Sequence, residues 1–132
     1  TPEDIINANK TILENMVPEF KGKKDSTVLI EGNVSIGNQT CISDQVKING
    51  PVIIGNKCNI SGNAIIGPNT SIGNECDILG GTIQDSIIMN NCKIGKNVNL
   101  RNSIISSNST IAQNNIKNEQ VFLVGEGTKV SF

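Results

Sequence analysis

The side chains best suited to chemistry in this chain of 132 residues are four cysteines, because the chain contains no histidine. Histidine is the commonest general base and metal ligand, so its absence removes the usual centre of both kinds of site. The cysteines form no CxxC pair that would mark a zinc site; they are Cys41, Cys58, Cys76 and Cys92. Free thiols in a chain without a secretion signal are typical of a reducing compartment. We therefore expect four unpaired cysteines, packed as small buried side chains in a cytoplasmic protein.

The charge and hydropathy of the chain argue against two classes of partner. The net charge at pH 7 is -1, which provides no field to attract nucleic acid or an anionic membrane. No apolar run approaches the roughly 20 residues that a membrane-spanning helix needs.

The composition is dominated by 22 isoleucines and 20 asparagines, whereas tryptophan and tyrosine are absent. A core built without large aromatic residues must repeat small branched side chains many times.

Aliphatic residues recur at a fixed spacing of six over the middle of the chain. Nine consecutive anchors follow this spacing, namely Ile30, Ile36, Ile42, Ile48, Ile54, Ile60, Ile66, Ile72 and Ile78. The spacing then shortens to five at three steps, and the later anchors are Ile83, Ile88, Ile94, Leu100, Ile105 and Ile111. The residue two positions before each anchor is small or β-branched, and residues i and i−2 point to the same face of a strand. Each hexad therefore predicts a short strand with one large and one small inward side chain.

Three strands and three corners make one coil, and the anchors sort onto three walls in sequence order. The first wall carries Ile30, Ile48, Ile66, Ile83 and Leu100; the second carries Ile36, Ile54, Ile72, Ile88 and Ile105; the third carries Ile42, Ile60, Ile78, Ile94 and Ile111. Gly, Asn and Asp fill the corners, and these residue types tolerate the positive φ that tight turns need. The prediction is an all-β fold of about five stacked triangular coils, with Cys58, Cys76 and Cys92 in equivalent inward slots of the third wall.

The hexads VSIGNQ, VIIGNK, AIIGPN, TSIGNE and CKIGKN resemble the hexapeptide-repeat family. Domains of that family fold as left-handed parallel β-helices, so the resemblance implies this fold over about residues 28–114. We assign residues 28–132 to the domain, with the last residues as a further coil or a closing strand. The unpaired strand edges at its two ends need caps, and the candidate caps contain Phe20, Phe122 and Phe132.

Residues 1–16 are predicted to form a short N-terminal α-helix. Thr1 and Asp4 can form a capping box around Pro2. An apolar stripe follows, formed by Ile5, Ile6, Ile12, Leu13 and Met16. Residues 21–25 are predicted to be a polar linker. We interpret residues 1–27 as the end of a preceding nucleotidyltransferase domain, because TPEDIINAN resembles the segment that closes the catalytic domain of sugar-1-phosphate nucleotidylyltransferases.

Two further strings, GGTIQDSIIMNNCKIGKNV and LVGEGTKVSF, resemble long-form glucose-1-phosphate thymidylyltransferases. The resemblance implies a parent enzyme that joins glucose 1-phosphate to dTTP or UTP, with Mg²⁺, and releases pyrophosphate. It carries over no catalytic, cofactor-binding or metal-binding residue to this chain, whose glycines recur singly at corners rather than in a phosphate loop. The chain itself is then expected to serve oligomerisation or domain docking.

An acetyl-CoA-dependent amino-sugar-1-phosphate acetyltransferase is the alternative, because hexapeptide-repeat domains often transfer acetyl groups. Such sites generally deprotonate the acceptor with histidine, which this chain lacks. Asp77, Asp85 and Lys93 lie near the change in spacing and could replace histidine in principle. The competing interpretation is that all three are exposed polar side chains on an outer wall.

The outward positions, one residue before each anchor, differ between the walls. On the second wall they are Ser35, Ile53, Ser71, Ile87 and Ile104; on the third they are Cys41, Asn59, Asp77, Lys93 and Thr110. With Met89 beside it, the second wall is predicted to expose an aliphatic patch that a soluble monomer would cover. We expect Ile53, Ile87, Met89 and Ile104 to pack against a symmetry mate, in a homo-oligomer predicted to be a trimer, or against the linked nucleotidyltransferase domain.

Overall fold

The computed structural model describes residues 1–112 and the backbone of two further strands at 123–124 and 129–131. The chain begins with the predicted helix, α1 (Pro2–Glu14). The capping box is present, because the Thr1 side chain accepts a hydrogen bond from the Asp4 backbone N–H and the Asp4 carboxylate accepts one from the Thr1 nitrogen, both at 3.2 Å. The helix ends two residues earlier than predicted. At that end Asn15 leaves the helical conformation with ψ 4°, and its side chain donates to the Thr11 carbonyl at 2.9 Å.

The strands that follow form a parallel β-solenoid of about five coils, and its three sheets are the three predicted walls. The first wall consists of β2 (Leu29–Glu31), β5 (Lys47–Asn49), β8 (Ile65–Ile66), β11 (Thr82–Gln84) and β14 (Asn99–Arg101). The second consists of β3 (Val34–Ile36), β6 (Val52–Ile54), β9 (Thr70–Ile72), β12 (Ile87–Ile88), β15 (Ile104–Ile105) and β17 (Leu123–Val124). The third consists of β1 (Lys23–Lys24), β4 (Cys41–Ile42), β7 (Asn59–Ile60), β10 (Asp77–Ile78), β13 (Lys93–Ile94), β16 (Thr110–Ala112) and β18 (Lys129–Ser131).

The pairing register confirms the assignment of anchors to walls, even where the spacing shortens. On the first wall Ile66 pairs with Ile83, and Ile83 pairs with Leu100. Two of the shortened corners contain a residue in the left-handed region, with φ 50° at Asp85 and 52° at Asn102. Shortening therefore removes a corner residue and leaves the strand register unchanged. The left-handed sense of the coil stays a prediction from the family resemblance.

The core is a column of anchors that varies little along the solenoid axis. Every anchor from Ile36 to Ile111 is at most 2% exposed, whereas Ile30 in the first coil is partly buried. Most small inward positions are buried as well, including the polar residues Thr40, Thr70, Ser86, Ser103 and Ser109. Their hydroxyls find backbone acceptors: the Thr40 hydroxyl, for example, donates to the Gly55 carbonyl at 2.6 Å. Hydroxyls can therefore act as spacers in this core without an unsatisfied donor.

Three corners between the second and third walls depart from the turn prediction. Gly and Asn were expected to adopt positive φ there, but the left-handed residue is the next one along, with φ 61° at Gln39, 58° at Lys57 and 58° at Glu75. The expectation is wrong for these corners because Gly and Asn are needed for a different reason. In the last two corners between these walls the prediction is correct, with positive φ at Asn91 and Asn108, and it is also correct at other corners, with positive φ at Asn63, Asn69, Asn97 and Asn102.

An asparagine ladder explains the Gly-Asn pairs at these corners. Asn56 Oδ1 accepts a hydrogen bond from the Asn38 backbone N–H at 2.8 Å, and Asn74 Oδ1 accepts one from the Asn56 backbone N–H at 2.8 Å. A Cβ atom on Gly55 would lie 2.3 Å from Asn74 Oδ1. Glycine is therefore required by the close approach of the next coil, and asparagine by the backbone donor that its side chain satisfies.

Residues of the predicted linker cap the first coil. Lys23–Lys24 form β1, which pairs with β4, so part of the linker is a strand rather than a loop. Phe20 forms an isolated parallel bridge with Ile36, as a cap should. The other candidate caps, Phe122 and Phe132, lie outside the described residues. No helix among the described residues is long and apolar enough to cross a lipid bilayer.

Candidate functional site

Helix α1 packs on the second wall of the solenoid, against β9 at the middle of that wall. Its inward face consists of Leu13, which is fully buried, and Ile6, which is 5% exposed. Burying two aliphatic side chains contributes about 3 to 6 kcal/mol of gross hydrophobic stabilisation. The helix is therefore packed on the solenoid through Ile6 and Leu13.

Two polar contacts fix which part of the wall α1 covers. The Ser71 hydroxyl donates to Asn9 Oδ1 at 2.6 Å, and Ser71 is an outward residue of β9. Lys10 Nζ lies 3.7 Å from Asp85 Oδ1, and Asp85 belongs to the corner between the first and second walls. The helix therefore lies along the edge of the second wall that adjoins this corner.

The helix runs antiparallel to the direction in which the coils stack. Near its C-terminal end the Met16 carbonyl accepts a hydrogen bond from Asn33 Nδ2, in the first coil, at 3.0 Å. At its N-terminal end Pro2 and Ile6 line a cavity of about 780 Å³ together with Asn102 of the fifth coil. The 13 residues of the helix span about 20 Å, close to the four steps of about 4.8 Å between the first and fifth coils.

The aliphatic patch on the second wall is smaller than predicted. Ile104 was expected to face solvent, and this is wrong because Ile104 is only 6% exposed. It lies in the fifth coil, which the first turns of α1 reach. Ile53 is 38% exposed and Met89 45% exposed, whereas Ile87 is partly buried. These three residues, which we call the wall patch, line a shallow depression of about 380 Å³.

The predicted apolar stripe of α1 divides between two environments. Ile6 and Leu13 face the solenoid, whereas Ile5 is 54% exposed and Ile12 is 66% exposed. Successive residues are about 100° apart around a helix, so the two pairs cannot face the wall together. We call Ile5 and Ile12 the helix flank. The sequence analysis did not identify the helix flank as a candidate surface. The pairs Ile5-Ile6 and Ile12-Leu13, seven residues apart, already indicated an apolar face too wide for a single contact.

Three thiols form a column inside the third wall, as predicted. Cys58, Cys76 and Cys92 lie in successive coils and are fully buried. Each Sγ donates a hydrogen bond to a backbone carbonyl of the following coil, at 3.0, 3.1 and 3.2 Å respectively. Cys41 is exposed, as its predicted outward position on the third wall implies, so only the general expectation of four buried cysteines is wrong for this residue.

The chemistry of the thiol column matches a structural role. Hydrogen bonds with the thiols of Cys58 and Cys92, together with burial, raise the pKa of Cys76 far above its ordinary value. Cys76 therefore remains a protonated donor to the carbonyl of the following coil. Within the part of the chain that the structure describes, no group of three His, Cys, Asp or Glu side chains is arranged to hold a metal ion.

The candidate acid–base residues of the acetyltransferase alternative do not share a site. Asp85 lies at the corner beside α1, where its carboxylate accepts a hydrogen bond from Asn69 Nδ2 at 3.1 Å and contacts Lys10. Asp77 and Lys93 are paired on adjacent strands of the third wall. Because Asp85 lies on a different face of the solenoid from Asp77 and Lys93, the three residues cannot act together on one acceptor.

Comparison with known proteins identifies a family to which the chain is similar. The model of the family described as GMPPB C-terminal domain matches residues 48–131, which is nearly two thirds of the chain and includes most of the coils. None of the curated proteins matches the chain. The matched region contains the whole wall patch and begins after α1.

Proposed function

The chain belongs to the family of GMPPB C-terminal domains, and on that basis we propose that it serves as the assembly domain of a sugar-1-phosphate nucleotidylyltransferase. In this role it is a rigid support that joins subunits or holds the linked catalytic domain, and no catalytic residue is assigned to it. The observation that carries the proposal is the apolar second wall. Its wall patch lines a depression to which α1 contributes no residue, and it faces away from the core, so its exposed aliphatic side chains gain by contact with another surface.

The reaction proposed for the parent is the transfer of a nucleotidyl group to glucose 1-phosphate, from dTTP or UTP, with release of pyrophosphate. The strings that resemble long-form glucose-1-phosphate thymidylyltransferases support this choice of substrates. Mg²⁺ is assigned to the catalytic domain of the parent. The acetyl-transfer alternative has no specific support among the described residues, since Asp85 lies on a different face from Asp77 and Lys93.

The proposed partners are further copies of the same chain and the covalently linked nucleotidyltransferase domain. A trimer is the oligomer predicted from the sequence. The proposed location is the cytoplasm, and four unpaired cysteines support it because such thiols are typical of a reducing compartment.

Sedimentation of two matched variants tests the assembly role. Ile53→Asp puts a charge on the wall patch, and Ile65→Asp puts the same charge on the first wall, at a residue of similar exposure (38% and 36%). We expect the wild-type chain and Ile65→Asp to form the same oligomer and Ile53→Asp to dissociate, because a carboxylate is costly to bury in an apolar contact.

Circular dichroism of both variants shows whether the solenoid remains folded. If folded Ile53→Asp sediments like the wild-type oligomer, the second wall is not a subunit contact. If the wild-type chain is a monomer at all concentrations, the role in joining subunits is contradicted and docking of the linked domain is the role that remains. The same substitution, Ile53→Asp, in the full-length enzyme then tests that docking.

A further inference from the structure

Helix α1 and the wall patch together form a step on the second wall. The helix covers one edge of the wall and rises above it by its own diameter of about 10 Å. The wall patch is the floor of the step, and it continues toward the corner between the second and third walls. Residues of the wall and of the adjoining corners line the depression in this floor, and none of its lining residues belongs to α1.

The helix flank forms the side of the step. Successive residues turn by about 100°, so the order around the helix is Lys10, then Ile6 and Leu13, then Asn9, then Ile5 and Ile12. Lys10 contacts Asp85 at the corner and Asn9 contacts Ser71 on the wall, so this order runs from the corner toward the floor. Ile5 and Ile12 therefore face along the wall, over the floor that contains Ile53 and Ile87.

The shape of the step limits what can bind to it. A second flat wall cannot reach the floor, because α1 holds it away by about the diameter of a helix. A wall-to-wall contact of the kind expected for a trimer is thereby obstructed on this face. A ridge about 10 Å high and about 20 Å long would fit, since the step has the height of one helix and the length of α1.

We infer that a second copy of this chain fills the step, with its own α1 as the ridge, in a two-fold symmetric dimer. This inference rests on the proposed assembly role and specifies its geometry. The two α1 helices lie antiparallel between the two second walls, and Ile5 of each copy packs against Ile12 of the other. In such an isologous contact each surface meets its own counterpart, so the assembly closes at two copies.

The residues of α1 suit this arrangement. The face of the helix opposite its own wall carries Ala8 and Thr11 at its centre, and both are small enough to approach the partner's wall patch closely. The charged residues Glu3, Lys10 and Glu14 lie on the side of the helix toward the corner, whereas Asp4 shares the face of Ala8 and Thr11 but lies in the first turn, at the end of the helix. The dimer therefore buries few charges at its centre, as protein interfaces generally do.

The exposed apolar area is of the size that a dimer needs. Ile5, Ile12, Ile53 and Met89 are 54%, 66%, 38% and 45% exposed, and such a set presents roughly 400 Å² of apolar surface. A standard interface buries about 800 Å² per partner, of which somewhat more than half is apolar. The helix flank supplies more than half of this exposure, so the wall patch alone would be too small.

Sedimentation equilibrium of Ile12→Asp tests the helix flank separately from the wall. Leu29→Asp is the matched control, because Leu29 is 56% exposed on the first wall. We expect Ile12→Asp to raise the dimer dissociation constant at least about 100-fold, since the substitution occurs twice in a symmetric dimer, and Leu29→Asp to leave it unchanged. If Ile53→Asp dissociates the oligomer but Ile12→Asp does not, the assembly role stands and this geometry is overturned. A wild-type trimer or monomer also overturns it.

Disulfide trapping tests the antiparallel order of the helices. In a Cys41→Ser background, which removes the exposed thiol, Ile5→Cys and Ile12→Cys chains are mixed and oxidised with copper phenanthroline. The antiparallel pair brings residue 5 of one chain to residue 12 of the other, so the mixture should form a covalent dimer far faster than either variant alone. Faster cross-linking within the single variants would indicate a parallel pair and would contradict the dimer.

Discussion

The inner and outer faces of the second wall differ, although the same strands form both. Inward, the anchors from Ile36 to Ile105 repeat one residue type and are at most 2% exposed. Outward, serine and isoleucine alternate without a strict rule, and the exposure of the isoleucines ranges from 6% at Ile104 to 38% at Ile53. The difference shows that stacking of coils constrains only the inward side chains. The outward positions are free to specialise for contact with α1 or with a partner.

The thiols offer the largest contrast between inside and outside, because the same residue type occurs in both places. We expect an alkylating reagent to modify Cys41 at the rate of a free thiol, and to modify Cys58, Cys76 and Cys92 at least about 1,000-fold more slowly, since coils must open before the reagent can reach them. Mass spectrometry of iodoacetamide-treated protein over time measures both rates. Denaturant supplies the control, in which all four cysteines should react alike. Rapid native labelling of Cys76 would mean that the coils separate readily.

Two neighbouring isoleucines on β8 allow buried and exposed side chains to be compared by their contribution to the free energy of unfolding. Ile66 is fully buried and Ile65 is 36% exposed. We expect Ile66→Ala to lower the free energy of unfolding by about 2 to 5 kcal/mol, because it leaves a cavity between two coils. Ile65→Ala should lower it by about 1 kcal/mol or less, since surface substitutions remove few contacts. Urea denaturation of the two variants measures the difference. Equal losses would show that the first wall is covered on its outer face.

The asparagine ladder allows the comparison to be extended to the corners. A Cβ on Gly55 would lie 2.3 Å from Asn74 Oδ1 and 2.8 Å from backbone of the next coil, whereas the nearest atom to a Cβ on Gly95 would be 3.3 Å away. Gly55→Ala should therefore cost about 1 to 3 kcal/mol, as overpacked positions do, and Gly95→Ala clearly less. Thermal unfolding of both variants tests this. A stable Gly55→Ala protein would mean that the ladder can shift outward.

Periodicity predicted the parts of the fold that stacking controls. The position of each anchor, the wall to which it belongs and the thiol column all follow from i and i−2 sharing one face of a strand. The same reasoning was wrong for Ile104, which is only 6% exposed, because the burial of an outward side chain depends on contact with other parts of the chain. Hexad spacing contains no information about that contact. The positive φ at Gln39, Lys57 and Glu75, each of which follows a corner asparagine, was missed for a similar reason. The asparagine ladder shapes these corners, and its hydrogen bonds join different coils.

The site was predicted in part. The outward pattern identified Ile53, Ile87 and Met89, which the structure brings together around one depression. The helix flank was missed because a stripe of five apolar residues in α1 was assigned to a single face. Which of two adjacent apolar residues faces the wall depends on the rotation of the helix about its axis. In this protein that rotation is set by contacts such as Asn9 with Ser71, which sequence spacing alone does not specify.

The ion pair between α1 and the corner beside it should contribute least to the stability of the fold. Lys10 Nζ lies 3.7 Å from Asp85 Oδ1, and the two side chains are 34% and 19% exposed. We expect Lys10→Gln to cost about 1 kcal/mol or less, because partly exposed ion pairs are screened by water and salt. Lys21→Gln is the control: Lys21 lies 3.1 Å from Glu19 with both side chains 53% exposed, and its loss should be close to zero. Hydrogen exchange of α1 at low and high salt measures the effect. A loss of more than about 2 kcal/mol would mean that the polar contacts, rather than Ile6 and Leu13, hold the helix on the second wall, and α1 would then be expected to leave the wall as salt is raised.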